Sequence, residues 1–201
     1  MDRELTFRIS AGLIFFALTI IRIYYTVVAV RSGSSFSISR LGKPRAFLAW
    51  FLYTFILLSA LVYILAPSWL AWAALPLPSA LRWSGVAVGV GSVLLLLWVH
   101  RTLGKNFAAS GIIQARQTLI TTGPYQWMRH PMYTTFFVIS LTVALITANG
   151  LIAILCLFFG VLLPSIIKSE EQTLLEKFGD EYREYMQRTG RFLPRWGAKD
   201  E

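Results

Sequence analysis

The chain has 201 residues, 56% hydrophobic and only 14% charged, with a formal net charge of +9. A water-soluble domain of this length carries about a quarter charged residues, so the composition excludes an ordinary soluble enzyme and points to lipid, in line with a mean hydropathy of +0.59. The basic excess invites a nucleic-acid partner, but its placement, given below, suits the anionic face of a bilayer, and neither nucleic acid nor metal is expected as a partner.

Crossing a hydrocarbon core takes roughly 20 apolar residues as helix. Five stretches meet or nearly meet that length: 5–30, 46–66, 81–99, 132–148 and 151–167. The first carries Arg8 and Arg22 and lacks a small-residue cleavage pattern, so it is expected to be a retained span rather than a signal peptide. Arg8 lies near its outer end, within snorkelling distance of water. Arg22 sits well inside, where a charge faces a partner or a water-filled route. Between spans two and three, PSWLAWAALPLPSA (67–80) combines three prolines with two tryptophans, a composition for a short interfacial cap. Gly85, Gly89 and Gly91 on span three are expected to be helix-packing contacts. His100, next to Arg101, is expected at the interface. Spans four and five are separated only by Asn149 and Gly150, which predicts a tight helical hairpin. The single cysteine, Cys156, lies in the apolar fifth span and can form no disulfide within the chain; its expected role is packing.

The basic residues then set the topology. The loop after span one holds Arg31, Arg40, Lys43 and Arg45; the segment after span three holds Arg101, Lys105, Arg116 and Arg129. The tail after span five adds Lys168, Lys177, Arg183, Arg188, Arg191, Arg195 and Lys199, so 15 of the 19 basic residues fall on one side. The opposite loops, 67–80 and 149–150, carry no charge. The positive-inside rule therefore places the N-terminus outside and the C-terminus in the cytoplasm, in an all-α, five-span, multi-pass protein. Residues 1–201 are expected to form a single membrane domain, with a helical pair and interfacial loop over 1–80 and a core with a C-terminal amphipathic helix over 81–201.

Two cytoplasmic segments are long enough to build a site. In the first, GPYQWMRHPMY (123–133) opens with a Gly-Pro turn, and Pro131 suits the first turn of span four. A helix start exposes unpaired N–H groups and a partial positive charge. Arg129 and His130 stand just there, a combination suited to a carboxylate, or else to lipid phosphates reached by snorkelling. In the second, Leu174, Leu175, Phe178, Tyr182 and Tyr185 recur at helical spacing, predicting an amphipathic helix from Lys168 with a bend at Gly179. Glu170 and Glu171 either open that helix or face Arg129 and His130, offering both charges to a zwitterionic amino acid.

GPYQWMRHPMY, the Glu170-Glu171 pair and EKFGDEYREYMQRTGRFLP together resemble the isoprenylcysteine carboxyl methyltransferase family, and the wider membrane methyltransferases that include phospholipid N-methyltransferases. The resemblance covers roughly residues 100–196 and is specific to the superfamily rather than to one substrate. It implies S-adenosyl-L-methionine as cofactor, held by Gln117, Thr118, Leu119, Ile120, Tyr125, His130, Pro131, Met132, Tyr133 and Glu170. The family pattern has histidine where Gln117 stands. Its hydrophobic pair is met by Leu119-Ile120, and Gly104-Lys105-Asn106-Phe107 resembles its pocket-lining segment. In chemical terms, the cofactor carboxylate would meet His130 and the start of span four, its ammonium Glu170, and its adenine the face of Tyr125. The family's substrate arginine, four residues before the paired glutamates, is Ile166 here, with Lys168 nearby as a point charge in place of a bidentate fork. Arg129, His130 and Glu171 form the candidate catalytic set; Glu171 or His130 would act as base if an amine or thiol were the acceptor.

The expected activity is methyl transfer to a lipophilic acceptor arriving from the bilayer, best matched by the carboxylate of an isoprenylcysteine-like molecule. The alternatives are phospholipid or small-thiol methylation, a nicotinamide-dependent membrane reductase with a similar RHPxY pattern, and a non-catalytic lipid-binding protein.

Overall fold

Proline, asparagine and glycine set most helix ends in this chain. A computed structural model describes residues 3–31, 44–104 and 118–195. Six α-helices lie among the described residues: α1 (Arg3–Arg31), α2 (Pro44–Leu65), α3 (Ser79–Leu103), α4 (Pro131–Thr147), α5 (Gly150–Phe178) and α6 (Asp180–Arg188). Pro131 opens α4, where its missing N–H has no partner to lose. The Asn149 Oδ1 accepts from the amides of Leu151 (3.1 Å) and Ile152 (3.3 Å) and so caps α5. Ala148, at φ +47°, turns the chain between α4 and α5 in the predicted tight hairpin.

The helices α1, α2, α3 and α5 are long and apolar enough to cross a membrane, and α4 is a shorter apolar helix beside them. Their outer surface identifies the solvent. Leu13, Phe16, Leu94, Leu157 and Val161 each leave more than 60% of their surface open, an arrangement that lipid accommodates and water does not. This is an all-α, multi-pass membrane protein.

Inside the bundle, α3 lies along α4 and α2 along α5. Close approach of α3 depends on two glycines. A β-carbon at Gly85 would stand 2.7 Å from Leu145 Cβ, and one at Gly89 would stand 2.6 Å from Ile14 Cδ1 and 2.8 Å from Thr142 Cγ2. Gly91, expected to be a third contact, faces open space instead, because it falls outside the i, i+4 row that 85 and 89 share. Ala49, Ile56, Ile152, Cys156, Phe159 and Leu163 form the core between α2 and α5. Cys156 is buried as expected, and its Sγ donates to the Ser140 carbonyl at 3.0 Å.

The 67–80 loop forms a 3-10 helix over Pro67–Ala73, with Trp69 and Trp72 largely exposed. It is fastened to the hairpin by Leu75 N to the Ala148 carbonyl (2.7 Å) and Asn149 Nδ2 to the Leu70 carbonyl (2.8 Å). Beside it, Arg82 forks onto Glu4 at 2.8 and 3.2 Å and lies 3.9 Å over the Phe7 ring. Arg8 donates to the Ile64 carbonyl at 2.6 Å rather than reaching for water.

One expected boundary is wrong. The fifth helix does not end at Ile167 with a new helix from Lys168; it continues unbroken to Phe178. Nothing between Lys168 and Phe178 stops it, since KSEEQTLLEKF contains neither glycine nor proline. Gly179, at φ +55°, supplies the break, and α6 follows. Glu170 and Glu171 therefore stand more than five turns into one rod rather than at a helix start. The apolar part of that rod ends at Ile167, so both carboxylates lie beyond the membrane-crossing portion.

Candidate active site

At the end of the bundle away from Trp69 and Trp72, two stretches distant in sequence pair side by side. Met128 and Gly190 form a parallel bridge. Arg129 N donates to the Gly190 carbonyl (2.8 Å), His130 N to the Arg191 carbonyl (3.1 Å), and Gly190 N to the Trp127 carbonyl (3.0 Å). Thr134 Oγ1 adds a bond to the Phe192 carbonyl at 2.8 Å. The turn that feeds this pairing is fixed by Gly123. Its φ is +59°, and a β-carbon there would stand 2.5 Å from Thr102 Oγ1 on α3.

Glu171 occupies the centre. It is 3% exposed, and its carboxylate accepts from Arg129 Nε (3.0 Å), Arg191 Nη2 (2.6 Å) and His130 Nε2 (3.3 Å). A carboxylate only accepts, so His130 carries its proton on Nε2. Burial alone would push this carboxyl up, but the bonds from His130, Arg191 and Arg129 outweigh it and hold the group at about 2. Arg129 Nη1 also donates to the carbonyls of Met186 (3.0 Å) and Thr189, joining α6 to the same cluster. Glu170, one residue earlier, lies beside the Tyr133 hydroxyl, and the His130 and Tyr133 rings meet edge-on at 5.9 Å.

Helix α6 roofs the cluster with Tyr182 and Tyr185, both buried. Tyr185 donates to the Tyr125 carbonyl at 2.6 Å. Packing around Tyr125, then the charge of Glu170, raises its phenol well above the ordinary range, so it stays protonated. The Tyr182 hydroxyl is buried with no hydrogen-bond partner among the described residues, and its proton is held by burial and by the adjacent charge of Glu171. Nor does any side chain among the described residues cap the start of α4. Both are donors that no described side chain takes up, while Glu170 supplies an acceptor.

The structure thus brings together Tyr125, Arg129, His130, Tyr133, Glu170 and Glu171 from the sequence-based set, with Pro131 buried and Met132 half-buried in the same helix turn. Thr118, Leu119 and Ile120 lie on the irregular stretch leading to Gly123. Gln117 and residues 105–107 fall outside the described residues. Ile166 packs against the α2–α5 core, and Lys168 is exposed, so neither belongs to the ionic cluster. Sequence reasoning singled out neither Arg191 nor Tyr182. Arg191 counted there only as one basic residue of a tail, since a parallel pairing across some sixty residues leaves no local signal. Tyr182 was visible as an apolar position of an amphipathic helix, not as a hydroxyl in need of a partner. His100, expected at the interface, is fully buried instead, with Nδ1 on the Leu96 carbonyl (2.8 Å) and Nε2 facing Arg22 Nη1 (3.4 Å). Among the described residues no group of three or more His, Cys, Asp or Glu could hold a metal ion.

Residues 86–176 match the isoprenylcysteine carboxyl methyltransferase family. Similar curated proteins include a nickel-cobalt-cadmium resistance protein of Alcaligenes xylosoxydans xylosoxydans, 38% identical over 96 residues, 47% of this chain and 45% of that one. A cobalt-zinc-cadmium resistance protein of Cupriavidus metallidurans is 33% identical over 120 residues, 57% and 54% of the two chains. The protein-S-isoprenylcysteine O-methyltransferase of Saccharomyces cerevisiae is 31% identical over 114 residues, 52% and 48%. The chain spans about half the length of these curated relatives. The segment of this chain that is similar to the isoprenylcysteine carboxyl methyltransferase family runs from α3 through Glu176 and contains the helix start, the His130 turn and the paired glutamates.

Proposed function

We propose that this protein is an S-adenosylmethionine-dependent membrane methyltransferase. In this reading it methylates the carboxylate of an isoprenylcysteine-like, lipophilic acceptor, with its site facing the cytoplasm. One observation carries the reading: within the family-matched segment, Arg129 and His130 meet Glu171 across some forty residues, and Glu170 meets Tyr133 beside them. The residues present suit the cofactor's amino-acid portion. Tyr182 and the uncapped start of α4 offer donors to a carboxylate, and Glu170 offers a negative charge to an ammonium. S-adenosylmethionine, when bound, supplies a methyl group already activated by a positive sulfur.

What remains for the protein is alignment and exclusion of water. Glu171 aligns: three donors saturate its carboxylate, which withdraws it from service as a base. An ionised carboxylate acceptor needs no base, whereas an amine or thiol does, and this favours the carboxylate. Arg129 and Arg191 hold α6 and the 189–195 stretch over the site, and Tyr182 and Tyr185 keep it dry.

The test is to supply purified protein in detergent with methyl-labelled S-adenosylmethionine and three acceptors: a prenylated cysteine, a phospholipid and a small thiol. The expected product is the base-labile methyl ester of the prenylcysteine. Label in phospholipid or thiol alone would overturn the acceptor. Absence of S-adenosylhomocysteine binding by calorimetry, with binding of a reduced nicotinamide, would overturn the reaction class.

A further inference from the structure

The 190–195 stretch closes on itself. Gly190 N (3.0 Å) and Arg195 N (3.1 Å) both donate to the Trp127 carbonyl, which pins the two ends of the loop to one atom. The turn between them leaves no room for a side chain at its start, since a β-carbon at Gly190 would collide with the Leu193 carbonyl oxygen. Phe192 turns inwards and packs against the α2–α5 core, as Ile166 does. Leu193 turns outwards and is 74% exposed. Pro194, which follows, has no N–H in need of a partner.

The contacts of this loop set its level in the bilayer. The Phe192 carbonyl accepts from Thr134 Oγ1 at 2.8 Å, and Thr134 lies one turn, roughly 5 Å, inside the apolar helix α4. Ile166, on the same core as Phe192, is next to Ile167, where the apolar part of α5 ends. Leu193 is one residue, about 3.8 Å, along the chain from Phe192. It therefore opens at the edge of the hydrocarbon, where a leucine meets acyl chains. Two tryptophans and two arginines surround it. Trp127 and Trp98 are 39% and 43% exposed, with their rings edge to face at 5.6 Å, and tryptophan prefers the headgroup zone. Arg101 follows Trp98 by three residues, on the same face of α3, and is exposed. Arg195 is exposed as well, with Nη1 on the Gln187 carbonyl at 2.6 Å. Among the described residues neither arginine forms an ion pair.

We propose that Leu193, flanked by Arg195 and Arg101 beside the Trp98–Trp127 pair, forms a surface that binds anionic phospholipid of the bilayer. Leu193 enters the boundary of the acyl chains, and the two arginines take the lipid phosphates through charge-assisted hydrogen bonds. A soluble anion would satisfy the arginines but leave the leucine in water; an anionic lipid suits both. The same loop carries Arg191, whose Nη2 holds Glu171 at 2.6 Å, so lipid on this surface steadies the loop that closes the ionic cluster. The surface stands whichever acceptor the site serves.

Two measurements on the full-length protein in nanodiscs test it. In the first, hydrogen–deuterium exchange of the Gly190 and Arg195 amides is compared in phosphatidylcholine alone and in a mixture with phosphatidylglycerol. Phosphatidylglycerol is expected to slow exchange about fivefold or more at low salt, and less at high salt. Arg101→Gln combined with Arg195→Gln is expected to remove that difference while exchange in phosphatidylcholine stays as in wild type. In the second, a nitroxide is attached to the Leu193→Cys variant; Cys156 is 1% exposed and stays unlabelled. Oxygen is expected to reach the label more readily than a water-soluble nickel chelate does. Equal exchange of wild type in the two lipids overturns the proposal whether or not the variants fold. So does a slowing that survives the double substitution, or one that free glycerol phosphate reproduces in phosphatidylcholine. A label at 193 that the chelate reaches as readily as oxygen overturns it too.

Discussion

Glu171→Gln is the sharpest perturbation the structure offers. The substitution keeps the shape, removes the charge and turns one acceptor oxygen into a donor facing donors. Breaking a buried ion pair by neutralising one side costs about 3–5 kcal/mol. Arg129 and His130 have side chains only 9% and 4% exposed and cannot turn to water, whereas Arg191 is 40% exposed and can. The lower end, about 3 kcal/mol, is therefore expected, a fall of roughly 6–12 °C in melting temperature for a chain of this size. The local readout is hydrogen–deuterium exchange of the 189–195 stretch, whose Gly190 and Arg195 amides are bonded to the Trp127 carbonyl. These amides should exchange faster in the variant while those of α3 and α4 change little. The pH dependence has a defined sign. The carboxyl sits at about 2 against an ordinary 4.5, so its contribution is complete above 4.5 and is lost as pH falls towards 2. Protection of 189–195 in wild type should thus be the same at pH 5 and pH 7 after correction for intrinsic rates. If Glu171→Gln melts within a degree of wild type with unchanged protection, Glu171 does not clamp the site.

Three further outcomes follow from the geometry. Tyr182→Phe should leave the ligand-free protein as stable or slightly more stable, because it removes a buried hydroxyl without a partner among the described residues, while weakening S-adenosylhomocysteine binding several-fold by calorimetry. Gly123→Ala should lower the melting temperature by several degrees, and Thr102→Ala should restore only part of the loss, since the clash is relieved but φ +59° is not. Gly89→Val should sharply reduce the yield of folded protein in gel filtration, whereas Gly91→Val, facing open space, should behave as wild type.

The helices could be read from the sequence because apolar length and punctuation are local properties. Pro131, Asn149 and Gly179 act where they stand, so the starts of α4 and α5 and the break after Phe178 follow from the residues themselves. The end of span five was misplaced because hydropathy ends at Ile167 while helix propensity does not. The site was partly legible. His130, Arg129 and the glutamates are dense in chemistry over short stretches, but which carboxylate pairs with which cation depends on helix rotation. Sequence reading gave Glu170 and Glu171 to one cluster; the structure turns Glu171 towards the arginines and Glu170 towards Tyr133. Arg22 and His100 were each noted alone, and only the packing of α1 against α3 shows them as neighbours.

The continuous α5 rod also makes the site mechanically sensitive. Pro164 interrupts the backbone ladder within it, seven residues before Glu171, a lever of roughly 10 Å. A pivot of about 10° at that proline would swing the carboxylates sideways by roughly 2 Å, more than the bonds from Arg129, Arg191 and His130 can stretch. Bilayer thickness, which sets how far such rods lean, is thereby coupled to the alignment of charges on the far side of the proline.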